Sequence, residues 1–191
     1  MEPVRHLPNL LSISRLLAVP VLAWLIVARR EDAFFILLVI AWATDGLDGW
    51  LARRLDAVTR LGAVLDSVAD VALIVVVLAA IRAFHPFVFT DHGTILWAIV
   101  ALWSAVHVAS LLRYGRTSSF HTRSAQAGIV LFAVFVVLLF THGFVAPLYY
   151  TCGIVCLAAG VENAAIVWLL REWQPNVRGL RSALALRREG S

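Results

Sequence analysis

Long apolar stretches constrain the fold of this 191-residue chain more than any other feature of its sequence. A stretch of ~20 apolar residues can cross the hydrocarbon core of a bilayer as a helix. Six such windows lie near residues 9–28, 33–50, 62–84, 94–113, 124–142 and 146–170. Backbone polar groups in hydrocarbon have to pair within their own segment, so each window predicts a helix. We therefore expect an all-α, polytopic membrane protein with six transmembrane helices.

The composition supports a membrane protein rather than a soluble one. Hydrophobic residues make up 61% of the chain and charged residues 15%, and the mean hydropathy is +0.87. Soluble domains are about half apolar and about a quarter charged. No internal repeat or long linker divides the sequence. We expect a single membrane domain over residues 1–191, with a short interfacial segment at 1–8 and a cytosolic tail at about 172–191.

The basic residues predict the orientation of the chain. All 16 are arginines, and they concentrate at the amino terminus, after the second and fourth windows, and in the tail. Short loops rich in arginine stay in the cytosol, so both termini are expected there. The formal net charge of +4 is then explained by topology and anionic lipid headgroups, and not by nucleic acid.

Four aspartates crowd the second and third windows. Asp45 and Asp48 lie at the end of the second, and Asp66 and Asp70 at the start of the third. A carboxylate in a membrane helix is costly and usually functional. Residues three or four apart share a helix face, and a short connection makes the two helices antiparallel neighbours. The two pairs can therefore converge at the cytosolic end.

Converging carboxylates favour a bound divalent cation. Like charges held close together repel one another, and a cation removes that repulsion. Oxygen ligands without nearby His or Cys favour a hard ion such as Mg²⁺, Mn²⁺ or Ca²⁺. Gly46, Gly49 and Gly62 allow close approach of a ligand or a helix, and Arg53 offers a forked donor suited to phosphate. The residues alone thus indicate a phosphate-ester site.

The same stretch resembles a known family. It matches all eight fixed positions of the CDP-alcohol phosphotransferase signature, DxxDGxxARx8GxxxDxxxD, with the long spacing intact. The matching residues are Asp45, Asp48, Gly49, Ala52, Arg53, Gly62, Asp66 and Asp70.

The resemblance implies an enzyme that transfers a phosphatidyl group from CDP-diacylglycerol to a small alcohol and releases CMP. It implies one or two Mg²⁺ or Mn²⁺ ions bound by the four aspartates, with Asp70 also the general base. It also implies a pocket for the CDP-lipid. The residues of that pocket would be Gly49, Ala52, Arg53, Thr59 and Gly62.

The acceptor alcohol is less constrained. Pro8, Asn9, Arg15 and Pro20 resemble the start common in phosphatidylglycerophosphate synthases and the related cardiolipin synthases, with Ser12 in place of Thr. This favours glycerol 3-phosphate. Those enzymes usually read Pro-Leu-Ala-Asp-Lys around the last aspartate, whereas this chain reads Ser-Val-Ala-Asp-Val over residues 67–71. Ser67 at this position resembles the pattern of the family branches that use serine or inositol as the acceptor. Phosphatidylglycerol, inositol phosphate and serine therefore remain alternatives.

A phosphorylated acceptor requires cationic donors. Arg113, Arg116, His121 and Arg123, around the connection after the fourth window, are the candidates. The alternative is that these arginines serve only as cytosolic anchors of the adjoining helices.

Other polar residues lie inside the apolar windows, and intramembrane carboxylates also leave a transporter as an alternative to an enzyme. For Glu162, Asn163 and His107 we expect an ion pair or an interhelical hydrogen bond rather than catalysis. Intramembrane carboxylates also build cation or proton pathways in transporters, but those spread across the membrane and often accompany inverted repeats. Here the aspartates cluster at one surface.

Assembly and location follow only from the resemblance and the composition. The resemblance implies a homodimer. The arginine-only, alanine-rich composition and the absence of an organelle signal favour a bacterial inner membrane, with the active site facing the cytosol.

Overall fold

The chain forms helices throughout its described residues. The structure, a computed structural model, describes residues 7–55, 60–115, 122–170, 172, 177 and 179–189. These form eight helices and no strand, which confirms the all-α prediction. The helices are α1 (Leu7–Val27), α2 (Glu31–Leu55), α3 (Arg60–Phe84), α4 (Phe87–Thr90), α5 (Gly93–Tyr114), α6 (Arg123–Thr141), α7 (Ala146–Leu169) and α8 (Leu180–Glu189).

The six long helices coincide with the six apolar windows. Among the described residues, α5, α6 and α7 are each long and apolar enough to cross a membrane, and 16–27 is a shorter apolar stretch. The short helix α4 and the tail helix α8 add to the elements that the windows predicted. The six-span topology and the cytosolic termini remain predictions.

The chain divides into two compact units, Met1–Asp91 and His92–Ser191. In the first unit, α1 packs against both α2 and α3. Buried apolar side chains from all three helices fill the space between them. They are Leu22, Leu25, Phe34, Leu38, Ala41, Ala69, Leu73, Val76, Val77, Ala80 and Ile81.

The start of α2 lies beside the end of α3. The Phe34 and Phe84 rings are 6.0 Å apart between centroids, and Glu31 Oε1 lies 3.0 Å from His85 Nε2. The beginning of one helix therefore meets the end of the other, which makes α2 and α3 antiparallel neighbours, as predicted.

The turn between α1 and α2 is fixed at this same end. Arg29 adopts a left-handed backbone with φ of 55°, and its guanidinium donates a 2.7 Å hydrogen bond to the Ala83 carbonyl. That carbonyl is one of the last four of α3, which have no partner within the helix. The turn thereby supplies a hydrogen bond that α3 needs at its end.

In the second unit, α7 packs against α5, α6 and α8. Small residues on α7 receive larger side chains from α5: Ile95 lies against Gly153, and Leu102 lies against Gly160. The second contact lies seven residues after the first on both helices, so α5 and α7 run parallel and stay in register. Small residues let membrane helices approach closely without the help of the hydrophobic effect.

The two ends of the α5–α7 contact are joined by hydrogen bonds. At one end, Tyr149 donates a 2.7 Å hydrogen bond to the His92 carbonyl, and the His92 ring stacks on Phe144 at 4.5 Å. At the other end, the Tyr114 hydroxyl lies 2.6 Å from the Val167 carbonyl and 2.8 Å from that of Leu170. The parallel register is therefore fixed over the full length of α5.

The fit of Ile95 against Gly153 can be tested by adding one methyl group. A Cβ at position 153 would overlap Ile95 Cδ1 and lie 2.8 Å from Cγ1, so the whole side chain would have to move. Overpacking costs about 1–3 kcal/mol, whereas Gly→Ala in a helix gains at most about 1 kcal/mol. We expect Gly153→Ala to lower the midpoint of thermal unfolding in detergent.

Two further variants distinguish the clash with Ile95 from the effect that replacing any helical glycine by alanine has on stability. Adding Ile95→Ala removes the obstructing atoms, so the double variant should be more stable than the two single changes predict. Gly93→Ala is the matched control, because a Cβ there meets Trp97 no closer than 3.4 Å. An equal loss of stability in both glycine variants would contradict the packing argument.

Candidate functional site

The signature residues lie on two continuous helices of the first unit. Asp45, Asp48, Gly49, Ala52 and Arg53 fall within α2, and Gly62, Asp66 and Asp70 fall within α3. Of these, only Asp70 has a side chain among the described residues, and it is exposed. Thr59 lies outside the described residues, as do the side chains of the other positions.

The antiparallel arrangement places two of the aspartates at one level. Asp48 follows Phe34 by fourteen residues, and Asp70 precedes Phe84 by fourteen residues. A helix rises ~1.5 Å per residue, so both positions lie about 21 Å along their helices from the Phe34–Phe84 contact. Asp45 lies about 4.5 Å nearer to that contact and Asp66 about 6 Å farther from it, so these two positions are about 10 Å apart along the helix axes.

On α2 the aspartates continue the buried stripe of the helix. Phe34, Leu38 and Ala41 are buried and follow the four-then-three spacing of one helix face. Asp45 and Asp48 come four and seven residues after Ala41, on the same face. These two positions therefore belong to the interior side of α2 rather than to a lipid-facing side.

On α3 the signature positions also fall on the buried side. Asp66 precedes the buried Ala69 by three residues, and Asp70 precedes the buried Leu73 and Val77 by three and seven. The opposite side of this helix is exposed at Val68, Val71 and Val75. Their exposed side chains mark the face away from α1. Asp66 and Asp70 thus lie along the buried stripe of α3 by their spacing, although the Asp70 side chain itself is exposed.

Arg15, which was not predicted as a site residue, occupies a similar position by its spacing. It lies on α1 seven residues before the buried Leu22, on the same face of the helix. The signal that could have identified it is this seven-residue spacing, since a charged residue that continues a buried stripe is costly without a partner.

Four carboxylates on two antiparallel helices are of the residue type that binds a divalent cation through oxygen ligands. Among the side chains that the structure describes, no group of three or more His, Cys, Asp or Glu could hold a metal ion. Asp70 is the only one of the four included in that set. The metal site is therefore a prediction that rests on helix register and on residue type.

The candidate acceptor residues belong to the second unit. Arg113 donates a 3.1 Å hydrogen bond to the Leu170 carbonyl at the end of α7, and its guanidinium lies 5.7 Å from the Tyr114 ring centroid. Arg123 is the exposed first residue of α6. Arg116 and His121 lie outside the described residues. The contact of Arg113 agrees with the anchor interpretation for that residue, and the acceptor role of all four remains a prediction.

Glu162 forms an interhelical hydrogen bond, as predicted from the free-energy cost of a carboxylate without a partner in an apolar helix. One carboxylate oxygen accepts from the Ser124 hydroxyl in the first turn of α6. The other accepts from the Leu180 backbone N–H at 3.2 Å, at the start of α8. A single side chain of α7 therefore joins α6 and α8, and its role in the described structure is structural.

Asn163 and His107 differ from Glu162. Asn163 Oδ1 is buried without a hydrogen-bond partner among the described residues. His107 Nδ1 donates a 2.9 Å hydrogen bond to the Trp103 carbonyl, one turn earlier in α5, so this bond lies within one helix. Sequence spacing could have identified the His107 contact but not the two partners of Glu162, which lie 38 and 18 residues away.

Comparison with known proteins gives one family. The family model described as CDP-alcohol phosphatidyltransferase matches residues 5–170. No solved structure matches the chain significantly.

Similar curated proteins carry two kinds of name. A cardiolipin synthase (CMP-forming)/mitochondrial hydrolase fusion protein of Schizosaccharomyces pombe is 35% identical over 113 residues, covering 59% of this chain and 18% of that protein. A CDP-diacylglycerol–glycerol-3-phosphate 3-phosphatidyltransferase of Wigglesworthia glossinidia brevipalpis is 36% identical, with 48% and 52% covered. A cardiolipin synthase (CMP-forming) of Streptomyces coelicolor is 39% identical, with 36% and 35% covered. The chain thus spans about half or less of the length of these relatives.

Metal binding at the aspartates can be measured without any enzymatic assay. We expect Mg²⁺ or Mn²⁺ to raise the thermal midpoint of the detergent-solubilised protein, by about 2.7 kcal/mol of stability at a free concentration 100 times the Kd. Asp66→Asn should lose most of this shift. Without metal it should be at least as stable as the unchanged protein, since one of the like charges is gone.

Asp32→Asn is the matched control for this measurement. Asp32 is an exposed residue of the first turn of α2, at the end opposite to the signature. Its variant should keep the full metal-dependent shift. A shift that is the same in Asp66→Asn as in the unchanged protein would place the metal elsewhere.

Proposed function

Because the chain belongs to the CDP-alcohol phosphatidyltransferase family, we propose that it transfers a phosphatidyl group from CDP-diacylglycerol to a small alcohol and releases CMP. The observation that supports this most is the complete eight-position signature, whose four aspartates lie on two antiparallel helices. Carboxylates without a partner in membrane helices are costly, so four of them on two neighbouring helices favour a functional role.

The proposed topology has six spans, both termini in the cytosol and one membrane domain over residues 1–191. It is supported by six helices of 19 to 25 residues that coincide with the apolar windows. Arginines at the connections after α2 and α5 and in the tail support the orientation. The proposed location is the inner membrane of a bacterium, with the signature at the cytosolic surface.

Asp45, Asp48, Asp66 and Asp70 would hold one or two Mg²⁺ or Mn²⁺ ions. When bound, such ions neutralise phosphate charge and stabilise an in-line displacement. Arg53 would bind the CDP-lipid phosphates with its fork. Gly49, Ala52, Thr59 and Gly62 would complete the pocket, since small residues let the nucleotide approach the backbone.

In the proposed reaction, the acceptor hydroxyl oxygen attacks the phosphorus on the lipid side of the pyrophosphate. A new P–O bond forms to the alcohol, the bond to CMP breaks, and CMP leaves with that electron pair. Asp70 would take the hydroxyl proton. Its exposed position is compatible with reach to a substrate, and close placement has to compensate for a carboxylate pKa far below that of an alcohol.

Glycerol 3-phosphate is the proposed acceptor. The relatives named as CDP-diacylglycerol–glycerol-3-phosphate 3-phosphatidyltransferases support it. So does the exposed Arg123 at the start of α6, because a helix amino terminus and a cation together favour a phosphate. Phosphatidylglycerol is the second candidate, since other relatives are named cardiolipin synthases. A homodimer is proposed from the family alone.

The deciding experiment measures CMP release by the purified, detergent-solubilised protein. CDP-diacylglycerol and Mg²⁺ or Mn²⁺ are supplied with one acceptor at a time: glycerol 3-phosphate, phosphatidylglycerol, inositol phosphate or serine. We expect release that requires both the metal and glycerol 3-phosphate. Asp70→Asn should reduce turnover by about 10²–10⁴-fold, as loss of a general base does, while Asp32→Asn should keep the unchanged rate.

Each other outcome of this assay corrects a different part of the proposal. Release with only another acceptor would keep the chemistry and replace the acceptor. Full turnover by Asp70→Asn would overturn the general-base role of that residue. No release with any acceptor, from protein that unfolds cooperatively, would contradict the transferase itself.

The phosphate-binding role of Arg53 is tested by a substitution that keeps its charge. Arg53→Lys replaces a planar fork by a point charge, so the bidentate grip on phosphate is lost. We expect the KM for CDP-diacylglycerol to rise about tenfold, the effect of losing one charged hydrogen bond. Arg54→Lys, one residue further along α2 and outside the signature, should leave this KM unchanged. Equal effects of the two variants would argue for a general charge effect.

A further inference from the structure

The tail helix α8 has two unlike sides. Ala183 is fully buried, whereas Leu180 and Leu184, which share one face of the helix, remain 37% and 44% exposed. Arg181 and Arg187 are exposed. At 100° per residue, they lie on either side of the two leucines. The helix therefore has an apolar stripe with an arginine on each side, and α7 leaves this stripe partly exposed.

The position of α8 is fixed at the end of a candidate membrane span. Its first backbone N–H donates to Glu162 of α7 at 3.2 Å. Ala183 packs into a buried cluster with Val106 of α5, with Ile166 and Val167 of α7, and with Leu170 and Val177 between α7 and α8. Trp168, which is 77% exposed one residue before the end of α7, is of a type enriched at the membrane–water boundary. α8 is thereby held near the level at which α7 leaves the membrane.

The charge of this region selects the kind of surface that it would meet. From residue 171 to the last residue there are five arginines and two glutamates. A short amphipathic helix with basic residues beside leucines is suited to an anionic membrane surface, where the apolar side enters the headgroup boundary. Two partly exposed leucines are far too little area for a stable contact with another protein, which buries about 1,200 Å² or more.

We propose that α8 binds anionic phospholipid headgroups at the membrane surface. Leu180 and Leu184 enter the boundary between headgroups and acyl chains, while Arg181 and Arg187 contact lipid phosphates. The recognition is by charge and not by headgroup identity. It is separate from the reaction site, because none of these residues belongs to the signature.

The experiment follows the environment of α8 in the full chain. The protein, with Cys152 and Cys156 replaced by Ala, is placed in nanodiscs as single copies, and the environment-sensitive fluorophore NBD is attached at Leu184→Cys. Replacing half of the phosphatidylcholine by phosphatidylglycerol should shift the emission to the blue and raise it about twofold. Phosphatidic acid should act equally, so that use of phosphatidylglycerol as a substrate is distinguished from charge recognition.

Two controls make the result specific. NBD at Ser182→Cys, an exposed position on the side of the helix opposite to the two leucines, should not respond to the lipid. Arg181→Gln together with Arg187→Gln should abolish the response at position 184. High salt should also weaken the response of the labelled protein that keeps both arginines. The result therefore does not depend on the folding of the arginine variant.

Three outcomes would overturn the proposal. The first is an NBD emission at position 184 that does not change when the anionic lipid is added. The second is a change that appears only with two copies per disc, which would assign the stripe to a contact between chains. The third is an equal change at positions 184 and 182, which would mean that the whole helix changes its surroundings rather than binding by one side.

Discussion

The levels of the signature aspartates along α2 and α3 depend on how these two helices meet at the ends that lie away from the signature. Phe34 against Phe84 and Glu31 against His85 fix these helices as antiparallel neighbours, and α1 packs on both. Given that contact, helix rise alone brings Asp48 and Asp70 to one level, with Asp45 and Asp66 about 4.5 and 6 Å to either side of it. The left-handed turn at Arg29 contributes to the same arrangement because it ties the start of α2 to the last turn of α3.

Much of the fold could be predicted from the sequence because the membrane restricts the options. Six apolar windows predicted the locations of six helices within a few residues, since a span has a nearly fixed length. The helix α8 was not predicted, because ten residues of mixed polarity give no span signal and its burial depends on α7. The short α4 was missed for a similar reason: four residues have no periodicity.

The site divides in the same way. The i, i+3 and i, i+4 spacings predicted that each aspartate pair shares a helix face, because that follows from local geometry. The contact of Arg113 with the Leu170 carbonyl could not be predicted, since it joins residues 57 positions apart. A loop arginine on the cytosolic side fits an anchor, a phosphate ligand and a helix-end partner equally well until its neighbours are known.

Two classes of intramembrane carboxylate can now be separated by their partners. Glu162 has a hydrogen-bond donor for each of its oxygens, from Ser124 and from the Leu180 backbone, so its burial is compensated by the protein itself. The aspartates of α2 and α3 instead lie on two antiparallel helices, with Asp48 and Asp70 at one level. Ionised carboxylates accept hydrogen bonds but cannot donate them, so such groups cannot satisfy one another. We propose that a divalent cation compensates all four, and on that proposal the signature, and not Glu162, is the expected place of the reaction.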